Sequence, residues 1–165
     1  MKWIFLTLLL LSTQAFALCP VLEAHDLSSH QIETLHKAYV LGEKQDMGYS
    51  LAAIAWKESS GGRYLINLQD PSSGVFHVTI DNALSYLKLK DTPFNRNRVA
   101  QMLINDFVLS SDLAMNNLQF WKNMYGDNWI KIWASYNAGY NWKAGLHYSY
   151  DVAHKIELIK LCHWD

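Results

Sequence analysis

The most restrictive stretch of this chain is Leu51-Ala52-Ala53-Ile54-Ala55-Trp56-Lys57-Glu58, followed at once by Ser59-Ser60-Gly61-Gly62. Drawn as a helix, Leu51, Ile54, Ala55 and Glu58 fall on one face at i, i+3, i+4, i+7 spacing. That face has to be packed, and it carries a carboxyl group at its end, where two glycines halt the helix. Desolvation and the partial negative charge of a helix C-terminus both favour the protonated form of such a carboxyl. Glu58 is therefore the expected proton donor. Read alone, the segment fits a surface glutamate at a helix end as well.

The N-terminus reads as a secretory leader over residues 1–17. Lys2 supplies a positive start, residues 4–11 an apolar core, and Ala15-Phe16-Ala17 a cleavage site. The apolar run falls short of the roughly 20 residues a membrane span needs, so no stable membrane anchor is expected. Residues 18–165 remain as a single domain. Cys19 and Cys162 are the two cysteines, and in an exported chain they read as one disulfide tying the termini together. Two unrelated buried thiols are the alternative.

Hydrophobic residues make up 50% of the chain and charged ones 18%, which describes a packed globule. The net charge is −1, and no basic patch offers a surface to nucleic acid or anionic lipid. The seven histidines show no metal-ligand spacing, so no metal is expected. No phosphate loop, dinucleotide fingerprint or nucleophile elbow is present, so no cofactor is expected either.

Helical periodicity runs through nearly all of residues 18–165. The pattern predicts helices over 29–42, 49–60, 80–89, 98–125, 129–137 and a last one ending near Cys162. The 98–125 stretch reads as one helix or as two bent near Ser110-Ser111. Asp127 is the expected N-cap of the helix at 129–137. Residues 61–78 and 139–148 read as loops. The fold class is mainly α, in one domain.

Three segments belong together: Glu58-Ser59-Ser60, the loop Asp70-Pro71-Ser72-Ser73-Gly74-Val75-Phe76-His77-Val78, and Ala134-Ser135-Tyr136-Asn137-Ala138-Gly139. Their order and spacing resembles the SLT-type, goose-lysozyme-like lytic transglycosylases. That family has a Glu-Ser pair, a Ser-x-Gly-Leu-Met-Gln-like loop, then Ala-x-Tyr-Asn-Ala-Gly. The compact form looks most like the small VirB1-like members that accompany envelope-spanning secretion machines.

The resemblance implies a single lysozyme-like helical domain in the periplasm, acting on peptidoglycan glycan strands. It implies cleavage of the β-1,4 bond between N-acetylmuramic acid and N-acetylglucosamine, leaving a 1,6-anhydro product. A secretion, pilus or flagellar apparatus is the implied partner. Glu58 would act first as acid and then as base, which one carboxyl can do when it exchanges its proton readily. Ser59, Ser60, Ser73, Gly74, His77, Tyr136, Asn137 and Tyr150 are the implied substrate-binding residues, with the Tyr136 hydroxyl near Glu58. Hydrolysis by a muramidase is the alternative and needs a second carboxylate, for which Asp70 is the nearest acidic residue. A glycan-binding assembly component without turnover is a further alternative.

Two departures from the family pattern stand out. His77 occupies the place of the family's glutamine, and a protonated histidine has no acceptor. If His77 faces the sugar, substrate binding should weaken as pH falls below about 6.5. The loop after Glu58 reads Gly61-Gly62-Arg63-Tyr64 in place of the usual aromatic-Asn/Asp-Pro sequence.

Overall fold

The computed structural model describes residues 19–67 and 69–164. The leader read at residues 1–17 lies outside them. Among the described residues are eight α-helices, one 3₁₀ turn and a small three-stranded sheet, a mainly α, lysozyme-like domain.

The centre of the molecule is α3 (Gly48–Ser59), in which residues 51–55 are all fully buried. Three of those five are alanines, and their small side chains let helices approach from both sides. Helix α2 (Ser29–Glu43) packs along one side and α8 (Leu146–Lys160) along the other. Helix α7 (Trp129–Ala138) joins α8 to α6 (Phe107–Tyr125). The sequence therefore produces a core helix whose two charged residues, Lys57 and Glu58, both lie at its far end. A short α1 (Pro20–Glu23) precedes these helices. A disulfide from Cys19 to Cys162, with Cα atoms 5.1 Å apart, ties the segment before α1 to the end of α8.

Several boundaries differ from the sequence expectation, each for a local reason. The helix expected from residue 98 begins five residues earlier, as α5 (Pro93–Asn105). Thr92 caps it, and proline sits in the first turn, where its missing N–H costs nothing. The 98–125 stretch is two helices, but the break comes at Asp106 rather than at Ser110-Ser111. The Asp106 carboxylate accepts from the Leu109 N–H and opens α6. Asn128, not Asp127, caps α7 through the Lys131 N–H. Helix α4 (Ile80–Tyr86) is shorter than expected and is capped by Thr79. The supposed loop at 139–148 contains a 3₁₀ turn (Trp142–Gly145) and the first turn of α8.

The supposed loop at 61–78 holds the sheet. Strands β1 (Ile66–Asn67), β2 (Ser72–Ser73) and β3 (Val78–Thr79) pair antiparallel in that order, with Ser73 opposite both Ile66 and Val78. Strands of two residues leave no alternation to read in a sequence.

Candidate active site

Helix α3 ends in a left-handed turn at Ser60 (φ 54°, ψ 48°), where the Gly61 N–H reaches back to the Ala55 carbonyl and the Ser60 N–H to that of Trp56. Two side chains hold this turn. The fully buried Ser59 hydroxyl donates to the Ala55 carbonyl at 3.1 Å and accepts from the Gly62 N–H at 2.8 Å. The Gln31 amide of α2 donates to the Ser60 carbonyl at 2.6 Å, while its oxygen accepts from the Ser28 N–H in a capping box. The end of α3 is thus fixed independently of any substrate, and Glu58 with it. Its side chain retains 16% of its exposure.

Each oxygen of that carboxyl has its own partner. The Tyr148 hydroxyl of α8 donates to Oε1 at 2.6 Å, and His77 Nδ1 lies 3.4 Å from Oε2. Beside the carboxyl, Lys57 pairs with Asp151 of α8 at 2.5 Å, and Lys155 pairs with the other Asp151 oxygen at 2.6 Å. The Lys57–Asp151 pair fastens α8 to the end of α3 near Tyr148, and Lys155, itself on α8, holds the Asp151 carboxylate in place. Burial, and then the charge of Glu58, push the Tyr136 and Tyr148 phenols well above their ordinary range. Both remain neutral donors.

His77 reaches Glu58 from a loop anchored at three points. Phe76 is fully buried and meets Phe107 with ring centres 5.6 Å apart. The Tyr136 hydroxyl donates to the Phe76 carbonyl at 2.9 Å. Gly74, at φ 81°, lies so close to α5 and α6 that a Cβ would collide with the Leu103 carbonyl oxygen and sit 2.8 Å from the Ser110 hydroxyl. His77 itself takes a left-handed backbone (φ 43°), a conformation in which histidine is enriched. Its Nε2 is 2.8 Å from the Tyr64 carbonyl. Burial pulls the imidazole pKa down, but the bonds to Glu58 and Tyr64 and the charges of Glu58 and Asp70 outweigh it, leaving the group above its ordinary value.

The residues singled out from sequence are thus distributed unevenly. Glu58, His77 and Tyr136 converge. Ser59 and Ser60 serve the turn beneath Glu58. Ser73 is buried in β2, and Gly74 faces the protein interior rather than solvent. Asn137 is exposed at the end of α7, and Asp70 is exposed in the β1–β2 connection. Tyr150 is 61% exposed; Tyr148, two positions earlier and so on another helix face, bonds Glu58. Tyr148, Gln31 and Asp151 were not singled out in the sequence. Only Gln31 carries a local signal, the Ser-x-x-Gln capping box.

A cavity of about 450 Å³ is lined by Val78, the residue after His77, together with Asn82, Tyr86, Asn116, Phe120 and Tyr140. Tyr86, Phe120 and Tyr140 are exposed. Aromatic faces beside amide side chains suit a polar ligand with apolar ring faces. Among the described residues, no cluster of three or more His, Cys, Asp or Glu side chains is placed to hold a metal ion.

Glu58, at the end of a buried helix, is thus held by a tyrosine on one side and by a loop histidine on the other. The family model described as the transglycosylase SLT domain matches residues 41–153, a span that includes Glu58, His77, Tyr136 and Tyr148. The chain belongs to that family, whose members are lytic transglycosylases acting on peptidoglycan. It is also similar to an uncharacterized 20.7 kDa protein in the vs-regB intergenic region of Enterobacteria phage T4. That relative is 28% identical over 154 residues, covering 82% of this chain and 83% of the relative. No solved structure matches the chain significantly.

Proposed function

We propose that this protein is an exported lytic transglycosylase that cleaves the β-1,4 bond between N-acetylmuramic acid and N-acetylglucosamine, with Glu58 as its single acid/base. The observation that carries the reading is the occupancy of the Glu58 carboxyl. Tyr148 donates to one oxygen, and the other faces an imidazole rather than a second carboxylate. Glu58 gives its proton to the glycosidic oxygen as the bond from that oxygen to C1 of the muramyl ring breaks. The resulting carboxylate takes the proton of the same sugar's 6-hydroxyl as that oxygen closes onto C1. The product is a 1,6-anhydromuramyl end, Glu58 is protonated again, and no water is consumed. Tyr148 steadies the carboxylate between the two steps, because its donor is already in place when the charge develops.

The cavity lined by Val78, Phe120 and Tyr140 is the proposed seat of sugars on one side of the scissile bond. The leader reading and the Cys19–Cys162 disulfide support action in the periplasm. There a local opening in the wall would serve a secretion, pilus or flagellar assembly.

Mass spectrometry of soluble products from purified peptidoglycan, with Glu58→Gln beside the wild type, tests the reading. Anhydromuropeptides from the wild type alone are the expected result. Reducing-end products would replace it with a muramidase and make Asp70 the first carboxylate to substitute. Binding to sacculi without any product would leave a glycan-binding component.

A further inference from the structure

Two contacts of the His77 ring constrain its proton count: Nε2 to the Tyr64 carbonyl at 2.8 Å and Nδ1 to Glu58 Oε2 at 3.4 Å. The Tyr64 carbonyl can only accept, so Nε2 carries a hydrogen. In the neutral imidazole Nδ1 then presents a lone pair, and it does so toward Glu58 Oε2. Two arrangements satisfy that contact: a protonated Glu58 donating to neutral His77, or an imidazolium donating to the carboxylate. Each contains one proton in the gap. Two protons would face each other there, and none would set a lone pair against a carboxylate.

We propose that Glu58 and His77 hold a single proton between them at neutral pH, and that His77 is the positioning residue that keeps Glu58 supplied with it as pH rises. The proposal rests on the transglycosylase reading for its kinetic consequence, though not for the shared proton itself. Exchange between the two arrangements moves one hydrogen between Nδ1 and Oε2 and no heavy atom. During turnover that proton goes to the glycosidic oxygen, leaving carboxylate and neutral imidazole, and the 6-hydroxyl proton replaces it.

The groups around the pair agree with this count. Glu58 faces His77 from α3, and the Asp70 charge acts on it from the β1–β2 connection. Tyr136 from α7 and Tyr148 from α8 are held as neutral phenols. Lys57, the cation next to Glu58 in sequence, is paired with Asp151. Among the described residues these are the charged and titratable groups beside the pair, and both carboxylates favour keeping the proton on it. Such a pair loses its proton with one macroscopic midpoint that belongs to neither residue alone. The pH effect expected from sequence therefore moves from sugar binding to proton supply, because both His77 nitrogens already face protein partners.

Two measurements on the purified protein decide it. In the first, the His77 imidazole is titrated by nitrogen-15 NMR in wild type and Glu58→Gln. The wild-type midpoint is expected above about 6.5, and the substitution should lower it by about one unit. In the second, pH profiles of kcat/KM on peptidoglycan are compared for wild type, His77→Gln and His77→Asn. The alkaline limb should move to lower pH in both variants, so that their deficit grows about tenfold per pH unit between the two limbs. A deficit constant with pH is what a purely structural His77 would give, and it overturns the proposal. So does an imidazole midpoint that ignores Glu58→Gln. The NMR titration needs no turnover, so it judges the shared proton even if the product assay overturns the transglycosylase reading.

Discussion

Glu58 is gripped from two sides that are built in opposite ways. On the Oε1 side stand two helices, α3 and α8, joined by the Lys57–Asp151 ion pair and by the Tyr148 hydroxyl. On the Oε2 side stands a segment of two-residue strands and left-handed turns that delivers His77. The helical side gains its order from extended apolar packing, with residues 51–55 wholly buried. The loop side has little regular structure and is held by single fixtures: the Phe76 ring, the Tyr136 hydroxyl and the absent side chain of Gly74. A site built this way has one rigid wall and one wall whose position hangs on a few contacts. Substitutions should therefore act through different quantities on the two sides.

The sharpest way to break the loop wall is Gly74→Ala. The added methyl meets the Leu103 carbonyl and the Ser110 hydroxyl, in a backbone conformation that L-residues rarely adopt. Loss of about 3 kcal/mol of stability is expected in denaturant unfolding. Full stability would mean that the loop wall is not held by this packing. On the helical wall, Tyr148→Phe keeps the buried ring and removes only the donor to Glu58. Here kcat should fall about 30-fold, equivalent to about 2 kcal/mol of transition-state stabilisation. The melting temperature should change far less than in Gly74→Ala. An unaltered kcat would show that the carboxylate gains nothing from this phenol during turnover.

The same contrast governs what the sequence discloses. The helices could be read because their apolar spacing repeats over several turns, and Glu58 stood out as a charged group at the end of such a repeat. Tyr136 and His77 were found through short motifs, where neighbours in sequence set the context. Tyr148 was hidden because choosing it over Tyr150 requires the rotational phase of α8. That phase is set by where the helix starts, after the 3₁₀ turn in which Gly145 packs against the Ala134 backbone. A close approach between two backbones leaves no periodic trace. The sheet was hidden for a related reason, since two residues per strand cannot show alternation. His77 was expected to face the sugar, yet its orientation depends on a carbonyl thirteen positions earlier, at Tyr64.

The smallest expected effect concerns the fastening between the helices rather than the carboxyl itself. Burial alone would raise the Asp151 pKa, but its bonds to Lys155 and Lys57 outweigh that and hold it below the ordinary carboxylate range. A group depressed in the folded state stabilises fully above its unfolded value of about 3.9, and the gain is lost as pH falls through the folded value. Asp151→Asn removes the charge at every pH. It should cost about 1 kcal/mol near neutrality, because the pairs are partly exposed and screened. The deficit relative to wild type should shrink in acid, once the wild-type carboxyl is itself protonated. Thermal unfolding of both proteins across this range measures the difference directly. A deficit that persists undiminished below the folded pKa would place the contribution of Asp151 in packing rather than charge. The helical wall would then resemble the loop wall after all, held by shape at single points.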